Sequence, residues 1–318
     1  MANYKKPNRN IWTGRTSDQK LYLHEKVECT DFDKISAGRT QKTIALLGYA
    51  CDTGVKRNQG RIGAFAGPDA IRAQLGKMPN HMDEKSQILD CGTIECVDDD
   101  MEAAQSLLSQ KVSKLLELHT FPILLGGGHD IAYGHYNGLL DHIEKDKTIG
   151  IINFDAHFDL RSNEKGNNSG TPFYQIAQDA TAGKHNFKYL CLGIRKDAND
   201  RNLFETAIDF NVEFLRKKEF NMQHLDAVRQ TIKDFIAGVD YIYTTIDLDG
   251  FSSAYAPGVS AASPMGFAPD IVLKSLWTII RSKKMIGMDI AEMNPKYDRD
   301  DQTAKLAASL IQYVLHRI

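Results

Sequence analysis

Six short runs, apolar at nearly every position, constrain this chain more than anything else in it. They are T-I-A-L-L-G-Y (43–49), F-P-I-L-L (121–125), T-I-G-I-I-N-F-D (148–155), K-Y-L-C-L-G-I (188–194), D-Y-I-Y-T-T-I-D (240–247) and M-I-G-M-D-I-A (285–291). A strand with one wet face alternates apolar and polar residues, so near-continuous runs predict strands buried on both faces of a parallel sheet. Helical patterns intervene. Residues 100–118 place Leu107, Leu108, Val112, Leu115 and Leu116 at helical spacing, and similar patterns occupy 222–237, 268–281 and 303–316. Gly67-Pro68 predicts a turn, with Asp69 opening a short helix. Strands alternating with helices predict an α/β domain whose sheet is covered on both faces. No Pro/Ser-rich linker, repeat or low-complexity tract interrupts the pattern. We expect a less regular N-terminal segment over residues 1–40 and one α/β domain over residues 41–318.

Ligands of open α/β sheets bind beyond the carboxyl ends of the strands, and the polar clusters fall at such ends. Gly126-Gly127-Gly128-His129-Asp130 follows one run, N-F-D-A-H-F-D-L-R (153–161) ends the next, Asp247-Leu248-Asp249 ends another, and Glu292 closes the last. Alternation at period two puts Asp155, His157 and Asp159 on one face of an extended chain. Crowding their carboxylates with Asp247 and Asp249 is costly unless a cation neutralises them. Oxygen ligands mixed with the imidazoles of His129 and His157 suit Mn better than Zn or Fe. Two divalent ions balance four carboxylates and could activate a water at neutral pH, whereas one would leave the site strongly anionic. A phosphate cradle is the other use of three glycines, but neither G-x-x-x-x-G-K-[ST] nor G-x-G-x-x-G is present. The glycines are read instead as letting the backbone turn tightly towards His129.

Composition removes several classes of function. With 318 residues, 42% hydrophobic, the chain can bury a large core. A net charge of −2 gives no nucleic-acid or membrane-surface footprint. No apolar run nears the roughly 18 residues of a membrane span, and the N-terminus lacks a secretory pattern. Five scattered cysteines, without C-x-x-C spacing, suit the reducing cytoplasm.

In their order, G-G-G-H-D, D-A-H-F-D, D-L-D and D-I-A-E-M-N-P resemble the signature of the ureohydrolases: arginase, agmatinase and formimidoylglutamase. The resemblance spans at least residues 43–295. It implies a three-layer α/β/α sandwich around a parallel sheet and a binuclear Mn(II) site ligated by His129, Asp155, His157, Asp159, Asp247 and Asp249. It also implies bridging roles for Asp155 and Asp247, an amidinium contact from Glu292, and an assembly of identical subunits. A carboxylate beside the metals is well suited to a planar cation.

Departures from the pattern point to a subfamily. Agmatinases read H-G-T-P-F where this chain has Ser169-Gly170-Thr171-Pro172-Phe173, so the family's proton-shuttle histidine is a serine here. Arg161 stands where arginases carry an asparagine facing the substrate's carboxylate, and a guanidinium repels guanidine substrates but forks onto carboxylates. W-T-G-R (12–15), G-V-K-R-N-Q-G-R-I-G-A (54–64) and A-P-G-V-S-A (256–261) likewise resemble formimidoylglutamases of histidine degradation. The expected reaction splits N-formimidoyl-L-glutamate with water into L-glutamate and formamide. Such a substrate carries one amidine cation and two carboxylates. Arg161, Ser169, Arg195 and Asn58 are candidates for holding it, with Arg57, Arg61 and Lys196 as further cations. The competing readings are an agmatinase or guanidino-acid ureohydrolase that releases urea, and a non-catalytic metal-binding protein on the same scaffold.

Overall fold

The structure, a computed structural model, describes residues 1–35, 42–183 and 186–318. The strands are β1 (Ala2–Lys5), β2 (Val27–Cys29), β3 (Thr43–Ala50), β4 (Gln87–Cys96), β5 (Thr120–Leu125), β6 (Ile149–Phe154), β7 (Lys188–Ile194), β8 (Glu213–Arg216), β9 (Tyr241–Asp247) and β10 (Met285–Ala291). They form one sheet in the order β1-β4-β3-β5-β10-β9-β6-β7-β8, with β2 also on β4. Every pairing is parallel except β1 with β4. The six apolar runs became β3, β5, β6, β7, β9 and β10, each within a residue of the expected bounds.

The helices are α1 (Leu23–Lys26), α2 (Thr53–Arg57), α3 (Gly67–Leu75), α4 (Met101–Glu117), α5 (Ile131–Leu140), α6 (Pro172–Thr181), α7 (Arg201–Asp209), α8 (Leu225–Ala237), α9 (Pro269–Arg281) and α10 (Gln302–Leu315). Alternate strand residues divide between two apolar layers, because successive side chains leave a strand on opposite faces. Ile44, Leu46, Ile123, Leu125, Ile152, Ile246 and Ile290 pack with α3, α8, α9 and α10. Ala45, Leu47, Leu124, Ile149, Ile151 and Tyr243 pack with α4, α5, α6 and α7. The result is the expected three-layer α/β/α sandwich.

The N-terminal segment, expected to be the less regular one, contains β1, α1 and β2. β1 pairs with residues 93–96 and β2 with residues 88–90, so together they cover the outer edge of β4. The boundary expected at residues 40 and 41 lies outside the described residues. Among the described residues no helix is long and apolar enough to cross a membrane.

Candidate metal centre

β5, β10, β9 and β6 are neighbours in mid-sheet and run parallel, so their carboxyl ends share one edge. Beyond β5, the amides of Gly126, Gly127 and Gly128 donate to the carbonyls of Ile290, Tyr49 and Cys51. A Cβ on Gly127 would lie 2.3 Å from the Cys51 carbonyl oxygen. The glycines therefore serve close backbone approach, and none of the three has a positive φ. His129, delivered by this loop, is 1% exposed.

After β6 the chain leaves the strand, yet its alternation persists. Ala156, Phe158 and Leu160 are buried, Phe158 edge-on to Phe204 and Phe214 at 5.1 Å each. His157, Asp159 and Arg161 line the opposite cavity. The extended geometry expected for this segment breaks at Asp159, whose φ of 49° is left-handed. Asp249 lies in the short turn Leu248–Gly250 after β9, its amide donating to Asp247 Oδ1 at 2.8 Å.

The six expected ligands converge into two sets. His129, Asp155, Asp159 and Asp247 form one, and Asp155, His157 and Asp249 the other, with the offered atoms of each set within 4.8 Å of one another. His129 Nδ1 stands 3.3, 2.8 and 3.1 Å from oxygens of Asp155, Asp159 and Asp247. His157 Nδ1 stands 3.4 and 3.2 Å from Asp155 Oδ1 and Asp249 Oδ1. Asp155 thus offers an oxygen to each set, while Asp247 belongs only to the first.

Electrostatics fit this donor set to divalent cations. Among the described residues, buried His129 Nδ1 and Asp249 Oδ1 have no hydrogen-bond partner despite these short distances. Burial and then the Asp155 charge push the Asp159 carboxyl up to about 6. Burial and then Asp247 hold Asp249 well above the usual carboxylate range. Burial opposes charge on His129, but Asp155, Asp159 and Asp247 outweigh it and raise the imidazole well above its ordinary value. Burial likewise opposes charge on His157, and Asp249 and Asp155 outweigh it. Protons thus collect where cations would sit.

Glu292 follows β10, 4% exposed, in a left-handed conformation with φ 67°. Its Oε1 accepts the His129 amide at 3.0 Å and its buried Oε2 has no partner among the described residues. Strained backbone at Asp159 and Glu292 marks both turns as positions held by their surroundings. Burial, then the charges of Asp247 and Asp249, raise the Glu292 carboxyl well above its usual range.

A cavity of about 330 Å³ opens over the cluster, lined by Asn58, Arg161, Ser169 and Glu292 among others. Asn58 Nδ2 donates to Ser169 Oγ at 3.2 Å. The Arg161 guanidinium is 4.0 Å from Asp200, and its stem lies against Gly170, where a Cβ would come within 3.0 Å. Arg195 does not join them. Its guanidinium binds both oxygens of Asp197, two residues on, at 3.1 and 2.8 Å, and it is absent from the cavity wall. Arg57 is occupied by Glu102, and Arg61 donates to the Ser260 and Val259 carbonyls.

The sequence reading missed the supports beneath the cluster. Asn153 Nδ2 donates to Asp155 Oδ2 at 3.0 Å and to Tyr189 at 2.9 Å. Asn199 accepts the Phe158 amide and donates to the Ala156 carbonyl, bracing the 155–161 segment. Asn153 was visible as a polar residue inside an apolar run, whereas nothing local marks Asn199.

Residues 42–316 match the model of the arginase family. The chain is 39% identical over 326 residues to formimidoylglutamase of Clostridium tetani, covering 99% of this chain and 96% of that one. It is 41% identical over 313 residues to formimidoylglutamase of Ralstonia nicotianae, covering 96% and 94%. Trypanosoma cruzi formiminoglutamase with Mn2+2 superposes with a TM-score of 0.76 at 22% identity, over 90% of this chain and 97% of that one, a likeness of fold. With a family match along residues 42–316 and relatives this similar over nearly its whole length, the chain belongs to the arginase family.

Proposed function

We propose that this chain is a formimidoylglutamase, which cleaves the C–N bond of N-formimidoyl-L-glutamate with water to give L-glutamate and formamide. The observation that carries it is Arg161 on the wall of the cavity above the His/Asp cluster. There it offers a bidentate donor to a carboxylate and a repulsive charge to a guanidinium placed near it. The two relatives at 39% and 41% identity bear the same function in their names. His129, Asp155, His157, Asp159, Asp247 and Asp249 would hold two Mn(II) ions, the metal named with the T. cruzi structure. Bound there, the ions would supply the Lewis acidity that makes water nucleophilic at neutral pH.

The chain's own groups place the substrate. Glu292 Oε2, buried and unpartnered, faces the amidinium and fixes the formimidoyl carbon over the cluster. Arg161 takes a glutamate carboxylate at the rim. Asn58 and Ser169 add polar contacts between the two. Ser169 is no nucleophile, since its hydroxyl oxygen accepts the Asn58 amide and no base hydrogen-bonds to it among the described residues.

A panel assay of Mn-treated protein with formimidoylglutamate, arginine, agmatine and guanidinobutyrate tests the reading. Formamide from the first and no urea from the rest is expected. Urea from agmatine or guanidinobutyrate would establish the guanidine-hydrolase alternative, and bound metal without turnover the non-catalytic one.

A further inference from the structure

The D-I-A-E-M-N-P stretch contributes Glu292 to the cavity, but its first acid has a separate place. Asp289 lies within β10, 0% exposed, directly opposite Thr245 of β9. Thr245 Oγ1 donates to Asp289 Oδ1 at 2.5 Å. The Tyr243 hydroxyl and His135 Nδ1 converge on Asp289 Oδ2, the latter at 2.6 Å. All three partners are also 0% exposed. A Cβ on Gly287 would come 2.7 Å from His135 Nε2, so the glycine leaves room for this arrangement.

The Thr245 hydroxyl has one hydrogen, which it donates to the Asp289 carboxylate. Towards His129 Nε2, 2.9 Å away, Thr245 therefore presents only a lone pair. Nε2 must then carry the hydrogen, which leaves the lone pair on Nδ1. Nδ1 is the atom that faces Asp155, Asp159 and Asp247 without a hydrogen bond. We propose that Thr245 and Asp289 are positioning residues that fix the tautomer and orientation of His129 and so set the affinity of the metal position that His129 shares with Asp159 and Asp247. The inference rests on the two-metal reading above. Groups that orient a ligating imidazole typically account for about 10–100-fold in metal affinity.

The test uses the full chain freed of metal by chelation and titrated with Mn(II) alone, followed by calorimetry and electron paramagnetic resonance. Thr245→Val keeps the shape and removes the hydroxyl, Thr245→Ser keeps the hydroxyl, and Asp289→Asn weakens the acceptor. We expect Thr245→Val and Asp289→Asn to lose about 10–100-fold at one Mn position and none at the other. The first equivalent of Mn should then give an uncoupled mononuclear signal, and Thr245→Ser should restore wild-type binding. Thr245→Cys gives the same one-position reading should Thr245→Val fail to fold. Wild-type affinity at both positions, equal loss at both, or a Thr245→Ser as weak as Thr245→Val overturns the positioning role. A wild-type chain that takes up fewer than two Mn ions overturns the two-metal reading, and this inference with it.

Discussion

Replacing Arg161 by Asn tests how the cavity chooses its substrate. The Arg161 side chain is 46% exposed and its nearest acid among the described residues, Asp200, is 4.0 Å away, so no strong internal ion pair there competes with a ligand. A charge-assisted hydrogen bond contributes about 1.5–3 kcal/mol when well desolvated. At this exposure solvent screening reduces the figure to about 1–2 kcal/mol, which is roughly five- to thirtyfold in affinity. Arg161→Asn should therefore raise KM for formimidoylglutamate by that factor. Mn content should be unchanged, because Arg161 is outside both ligand sets. Steady-state kinetics beside metal analysis of the same sample decides it. A KM within twofold of wild type, with kcat also unchanged, would refute the carboxylate-reading role.

Three other outcomes are expected. Asp249→Asn should weaken one Mn position and Asp155→Asn both, because only Asp155 belongs to each ligand set; equal loss in Asp249→Asn, read by metal titration, would contradict that division. Ser169→Ala should keep turnover within about tenfold, since the residue contributes a polar contact worth roughly 1 kcal/mol; a thousandfold fall or a covalent adduct at Ser169 would count against it. Metal-free protein should lose stability as pH rises. Asp159 titrates near 6 when folded against 3.8 as a free side chain, so the native state binds the extra proton in that window and loses the advantage above it. The raised imidazoles of His129 and His157 extend the loss beyond 6.5. Mn should reverse the trend, because protons compete with metal for these ligands. Thermal unfolding with chelator and with Mn, at several values between pH 4 and 8, checks the signs; a metal-free Tm that climbs across this range would refute them.

The residues of the His/Asp cluster were legible in the sequence because acids and imidazoles closing buried strands have few other physical reasons to be there. Strands without polar interruption were legible for a similar reason. β4 was not, since Asp90, Thr93 and Glu95 break its apolar pattern. Asp90 is nonetheless 0% exposed, held by two Arg72 nitrogens and by Trp12 Nε1. β1, four residues long, gains its pairing from β4, far along the chain, rather than from its own composition. Arg195 shows the opposite failure. Its charge was plain, but its capture by Asp197 depends on a local backbone path that residue type does not encode. The left-handed turns at Asp159 and Glu292 were equally invisible, because nothing but the surrounding fold holds them there.

The position of β10 has a bearing on synthesis. It is the last strand made, yet it stands between β5 and β9 and is the piece that joins strands β1–β5 to strands β6–β9. Until residues 285–291 have left the ribosome, a growing chain holds two half-sheets whose facing edges are open to the wrong neighbour. Asp155, His157 and Asp249 all belong to the later half-sheet, whereas His129 comes from the earlier one. The nascent protein can thus assemble one ligand set before β10 arrives but completes the other only afterwards. Chains cut short before residue 285 should therefore aggregate rather than wait as a half-active enzyme.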